Sequence, residues 1–264
     1  MRSQTSISLA ILGFVTMATA GIHGQGAPIP PATAIPVTFT RTIEAGTAKP
    51  NDVVTAKTNQ AVYLAGGKVL PKGATVTGHV VESTAFVFDS TPYAVQKASV
   101  LSIHFDNVTA NGSTIPVNLS VRALAGPVQA REAESVHYAG ESDTTGTRVL
   151  VGGSSFSPLD SAVLSVQGDV TGYVRKQGVF ARLIAGDALR EGSSFHCSGT
   201  NSEQSVDIFS ADACGIYGLD SLSMADNGER SGAFVLESHR HSIKLHAGSA
   251  ALLQVTDPAA LASL

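Results

Sequence analysis

The chain has 264 residues, of which 43% are hydrophobic and 14% charged, with a formal net charge of −4. That many apolar side chains exclude a disordered chain, because enough of them exist to build a core. The mild acidity excludes the basic footprint of a nucleic-acid binder. The 6% aromatic content without Trp leaves few platforms for stacking bases or sugars.

Residues 1–20 read as a signal peptide. Arg2 is the only charge there, an apolar run extends from Ile7 through Met17, and Ala18-Thr19-Ala20 forms a small-x-small cleavage sequence. The run is shorter than the ~20 apolar residues of a spanning helix, and no later stretch approaches that length. The expectation is therefore an exported protein of the periplasm or cell envelope, with no transmembrane helix in the mature chain. Removing this segment takes away one positive charge, Arg2, and moves the net charge from −4 to −5. No Cys stands just after the cleavage point, so a bacterial lipid anchor is not expected.

Residues 21–34 are rich in Gly and Pro and read as a linker. Strand signals begin at once. Ile35, Val37, Phe39 and Ile43 alternate with Thr38, Thr40 and Thr42, the period of a strand with one buried face. Further strands are expected at 53–58, 61–64 and 75–81, separated by Gly66-Gly67 and by a turn at Leu70-Pro71-Lys72-Gly73. Leu101, Ile103 and Phe105 alternate with Ser102 and His104, and Ile115, Val117, Leu119 and Val121 with Pro116, Asn118 and Ser120. Asn111-Gly112 between them favours a tight hairpin turn. Pro116 has no ladder donor, which points to an edge strand or a non-bonded position.

These signals make the protein mainly β: an antiparallel β-barrel or sandwich over residues 35–126, then an interdomain loop over 127–148. A second β-rich domain with a short helix follows over 149–264. The helix is expected between the cysteines, with Asn201 as N-cap, Gln204 at the capping-box position, and Val206, Phe209 and Ala213 on one face. Gly215 would end it.

Cys197 and Cys214 are the only cysteines. In an oxidising compartment such a pair reads as a disulfide. A catalytic Cys197 beside His196 is the alternative, but neighbours on a strand point to opposite faces. Two thiols are too few for a four-ligand zinc site.

The segments Ile35-Pro36-Val37-Thr38-Phe39, Val53-Val54-Thr55-Ala56-Lys57, Leu70-Pro71-Lys72-Gly73-Ala74-Thr75-Val76-Thr77-Gly78-His79-Val80 and Asn111-Gly112-Ser113-Thr114-Ile115-Pro116-Val117 follow one another in a familiar order. Over residues 35–121 the chain resembles the β-barrel domain of TrbI-like scaffold proteins of type IV secretion and conjugation channels. The resemblance implies a barrel and an envelope setting. Those scaffolds carry an inner-membrane helix, a Pro-rich stalk and a helical hairpin inserted in the barrel. Here a signal peptide and a short Pro run stand instead, and residues 127–264 match nothing in that family.

A search for chemistry yields one metal candidate and no catalytic set. His239 and His241 share a face if they lie on a strand, and His246 would return across the hairpin at Gly248. The competing reading is a polar turn, since Glu237-Ser238-His239-Arg240-His241 is polar throughout. Asp207, Asp212 and Asp220 read as surface or capping acids. No G-x-S-x-G elbow, phosphate loop or dinucleotide fingerprint occurs, and no cofactor is implied. Asn107, Asn111 and Asn118 fit the glycosylation pattern incidentally.

The leading expectation is an exported structural or interaction protein of the cell envelope. Its partners would be other envelope proteins or further copies of itself, joined through strand edges. A secreted hydrolase or metal-binding protein with its site in residues 150–264 is one alternative. An outer-membrane β-barrel is another, although aromatic residues for its girdles are scarce.

Overall fold

The computed structural model describes residues 28–88, 96–138, 140, 145–188, 195–225 and 233–256. The signal peptide expected at 1–20 and the first part of the expected linker lie outside these residues. In chain order the first half supplies β1 (Ala34–Phe39), β2 (Ile43–Glu44), β3 (Val53–Thr58), β4 (Val62–Tyr63), β5 (Val69–Leu70), β6 (Thr75–Thr84), β7 (Ser99–Ala110), β8 (Ser113–Pro116) and β9 (Leu119–Ala125). Helix α1 (Pro127–Glu134) follows. The second half supplies β10 (Arg148–Val149), β11 (Ser155–Phe156), β12 (Ala162–Leu164), β13 (Val170–Arg175), β14 (Gly178–Arg182), β15 (Gly186–Asp187), β16 (His196–Cys197) and β17 (Glu203–Ser205). It closes with β18 (Gly215–Tyr217), β19 (Leu222–Ala225), β20 (Phe234–Ser238), β21 (Lys244–Leu245) and β22 (Ala250–Val255).

Ten strands form one sheet in the order β18-β9-β22-β1-β3-β6-β7-β20-β19, with β8 also paired to β7. Its end strands β18 and β19 come into contact, so the sheet is a nearly closed barrel. The alternation along β1, β3, β6 and β7 explains its sidedness. Ile35, Val37, Phe39, Val54, Ala56, Val76, Val80, Leu101, Ile103 and Phe105 are all buried inside. Thr55, Lys57, Thr75, Thr77, His79 and His104 alternate with them on the outside. Phe39 and Phe105 meet in the core at 6.3 Å between ring centroids. Each such ring contributes about 1.5–3 kcal/mol of burial free energy.

The sheet interleaves the two halves of the chain. β18, β20 and β22, from the stretch read as the second domain, pair with β9, β7 and β1 of the first, and β19 extends β20. A second sheet, β10-β11-β12-β13-β14-β17, packs outside. Ala34, Ala123 and Leu252 turn away from the barrel interior and join Val163, Ala181 and Phe209 in a second core. Strands β1, β9 and β22 are therefore covered on both faces, which is why Ala250–Val255 is buried without alternation. Gln60 fastens the sheets. Its Nε2 donates to the Val179 carbonyl at 3.0 Å, and its Oε1 accepts from Val179 N–H at 3.1 Å.

Local chemistry decides several elements. Asn111 and Gly112 have φ of 51° and 76° and close the β7–β8 hairpin. β8, carrying Pro116, has a single ladder, to β7. The helix expected between the cysteines is absent. Ser205 on β17 pairs with Phe180 of β14, and Asp207 at φ 51° breaks any helical path. Gln204, instead of capping, accepts a hydrogen bond from Ala34 N–H at 3.0 Å. The helix forms instead at α1, in the stretch read as a loop, where Gly126-Pro127 supplies the start. Its buried residues are only Ala130 and Ala133, too small to mark a helix by apolar periodicity. The end of the Gly/Pro segment also packs: Ile29 is buried in the barrel core.

Candidate functional site at the barrel seam

Three β-bulges bend the ten-stranded sheet. The extra residues are Val81 on β6, Asp106 on β7 and Arg122 on β9. A bulge breaks the strict alternation of a strand and re-aims one side chain. The Asp106 bulge builds the most developed polar cluster on the outer face. His79 and His104 are register partners on β6 and β7, with ring centroids 5.5 Å apart. The bulge sets Asp106 against both. His79 Nδ1–H donates to Asp106 Oδ2 at 2.9 Å. Asp106 Oδ1 lies 3.7 Å from His104 Nε2, beyond hydrogen-bond reach, and no other donor among the described residues bonds to it. Gly78 makes the bulge sterically feasible, because a Cβ there would sit 2.1 Å from the His104 carbonyl oxygen.

The cluster borders a groove of about 510 Å3. The groove follows from topology. β8 pairs with β7 while β9 pairs with β22, so Val117 and Asn118 step across a seam that has no ladder. Single bonds hold the seam: Val117 N–H to the Asp106 carbonyl at 3.0 Å, and Thr256 N–H to the Asn118 carbonyl at 3.0 Å. The entering segment, residues 28–31, forms the far wall. Prolines, valines and Ile29 line one part of the groove, and His104, Asp106, Asn118 and Thr256 supply polar groups. The Asp106 carboxylate holds His79 Nδ1–H and so fixes the orientation of the ring. The arrangement can orient a donor and neutralise a positive charge.

The Arg122 bulge does the opposite. Its side chain turns inward and is 2% exposed. Nε donates to the Ala213 carbonyl at 2.9 Å, and the terminal nitrogens donate to Ser198, Ile184 and Ala211 carbonyls. Burial pulls its pKa down to about 10, against the opposing pull of Tyr217 and Asp212. The Cys197–Cys214 disulfide joins the same loops, with Cα atoms 5.9 Å apart and both residues buried.

His239 and His241 sit on the exposed turn that follows β20, and His246 on the exposed turn between β21 and β22. Among the described residues no group of three or more His, Cys, Asp and Glu side chains is arranged to hold a metal ion. Asp207 is largely buried near Asn59, and burial raises its pKa above the usual carboxylate value. Sequence reading missed His79, Asp106 and Arg122. Each stands where the alternation allows a polar residue, so the local sequence gives it no mark. No family model, no curated protein and no solved structure matches this chain.

Proposed function

We propose that this is an exported cell-envelope protein with a structural or interaction role, a scaffold in a secretion-like or envelope assembly. The observation that carries the reading is the buried Cys197–Cys214 disulfide. A bond of this kind forms and persists in oxidising compartments. The resemblance of residues 35–121 to TrbI-like barrels supports the scaffold role. Among the described residues no helix is long and apolar enough to cross a membrane, in keeping with a mature protein held in the envelope by its contacts. The barrel's sidedness, with an apolar interior and Thr, Lys, His and Asp outside, favours an aqueous setting over an outer-membrane barrel.

The test is fractionation of the native host, with non-reducing mass mapping of the recovered protein and light scattering of its gently extracted particle. The expected result is envelope material with Cys197 joined to Cys214, in a particle heavier than one chain with defined co-purifying proteins. Cytoplasmic protein with free thiols would overturn export. A clean monomer without partners would overturn the scaffold role.

A further inference from the structure

We propose that the seam groove is a binding site for an amphipathic primary amine, with its ammonium on Asp106 and its apolar body along the groove. A carboxylate has acceptor sites on both oxygens. Among the described residues only Oδ2 of Asp106 accepts a hydrogen bond, from His79 Nδ1–H. None of them bonds to Oδ1, on a side chain that is 35% exposed and borders the groove. The opening is thus aimed at a donor from outside. His104 Nε2 stands 3.7 Å from Oδ1, beyond hydrogen-bond reach. Among the described residues no Lys or Arg lines the groove. An incoming ammonium therefore meets an open carboxylate oxygen and no permanent cation among them.

The rest of the lining sets the body of the ligand. Pro31, Pro116, Val117 and Val255 give an apolar channel beside the carboxylate, and the Asn118 side chain offers one further polar contact. A volume of about 510 Å3 suits a small molecule or a single extended side chain. The charge-assisted hydrogen bond supplies orientation, and apolar burial supplies the remaining affinity. The site stands on the β7 bulge and the β8–β9 step, not on the disulfide, so it is independent of the export reading.

The same chemistry could come from a free amine or from a lysine side chain of a partner chain. Calorimetry on the disulfide-bonded protein at neutral pH would compare 2-phenylethylamine with its neutral shape-mate 2-phenylethanol. A second pair would be a doubly capped Phe-Lys-Phe peptide and the same peptide with acetyl-lysine. The expected result is saturable binding of at least one charged member. It should weaken about tenfold or more in the neutral counterpart and in Asp106→Asn. Preference for the small amine assigns the site to free ligands, and preference for the peptide assigns it to a partner's lysine. Pro116→Arg, at an exposed position of the lining, puts a cation beside the carboxylate and should abolish binding while the melting curve stays cooperative. Equal binding of charged and neutral members, no loss in Asp106→Asn, or no saturable binding of any probe would overturn the proposal.

Discussion

Arg122 and Asp106 occupy equivalent places: each is the extra residue of a bulge in the same sheet. Their surroundings differ completely. Arg122 is buried and spends its donors on four backbone carbonyls, while Asp106 is partly exposed and spends one oxygen on one histidine. The bulge supplies direction in both cases. Whether the redirected group becomes architecture or a site depends on how completely the fold satisfies it. A buried charge without full partners would cost several kcal/mol, so Arg122 must be saturated. A carboxylate at the surface tolerates an open acceptor because water fills it, and a ligand can replace that water.

The largest expected effect tests the first half of this contrast. Arg122→Met removes the charge but orphans the carbonyls of Ser198, Ile184 and Ala213, while the Ala211 carbonyl keeps its bond from Ile184 N–H at 3.0 Å. Stranding buried acceptors outweighs the relief of desolvation, and stability should fall by about 4 kcal/mol in urea unfolding. A loss under about 1 kcal/mol would mean that the carbonyls find water and that Arg122 is dispensable.

Replacing both cysteines by alanine comes next. The bond spans a sequence separation of 17 and contributes about 3 kcal/mol by the loop-closure model. Arg122 grips carbonyls adjoining both cysteines, at Ser198 and Ala213, so the cysteine-free protein should remain folded with a lower midpoint. Because the two devices hold the same loops, the triple variant should lose more than the two losses combined. Simple additivity would show that disulfide and guanidinium act on separate parts.

Gly78→Ala strikes the other bulge. Its Cβ would press on the His104 carbonyl and the Phe105 Cα, backbone atoms that cannot rotate away. A loss of about 2 kcal/mol is expected, with a shifted His79 ring resonance in NMR as the bulge relaxes. An unchanged spectrum would mean that the bulge does not depend on the glycine.

This gradient also marks what the sequence could disclose. Alternation exposed β3, β6 and β7, because each buries one face and presents the other to water, and it exposed the barrel-facing side of β1, whose other face the second sheet covers. It could not show that Ala250–Val255 is covered twice, nor that Ser99 of β7 faces Ser238 of β20, since pairing across such separation leaves no local trace. Helical spacing at Val206, Phe209 and Ala213 was real, but ladder pairing to β14 and the left-handed Asp207 overrode it. The site was half legible. His104 and Asp106 fall where the alternation of β7 allows polar residues, but their meeting with His79 depends on a register and a bulge. The spacing of His239 and His241 assumed a strand that ends at Ser238.

Asp207 lies between the two extremes. Burial raises its folded pKa above 3.8, so the folded state holds the proton more tightly than the unfolded chain. Its contribution to stability is complete below pH 3.8 and is lost as pH rises through the raised value. Asp207→Asn keeps the shape, tolerates the positive φ and carries no charge. It should stabilise the protein at neutral pH, with the gain fading toward pH 4. A gain independent of pH would assign the effect to backbone preference instead of charge.

The smallest effect on stability is the most telling for the comparison. Asp106→Asn keeps an oxygen that can accept from His79 Nδ1–H and removes only a partly exposed charge. A surface pair of this kind contributes little, and the melting midpoint should correspond to a change under about 0.5 kcal/mol. The same substitution that weakens amine binding would then leave the fold in place. If it instead cost as much as Arg122→Met, the open oxygen would be incidental, Asp106 would be a structural clamp like its counterpart, and the two bulges would have to be read as one device used twice.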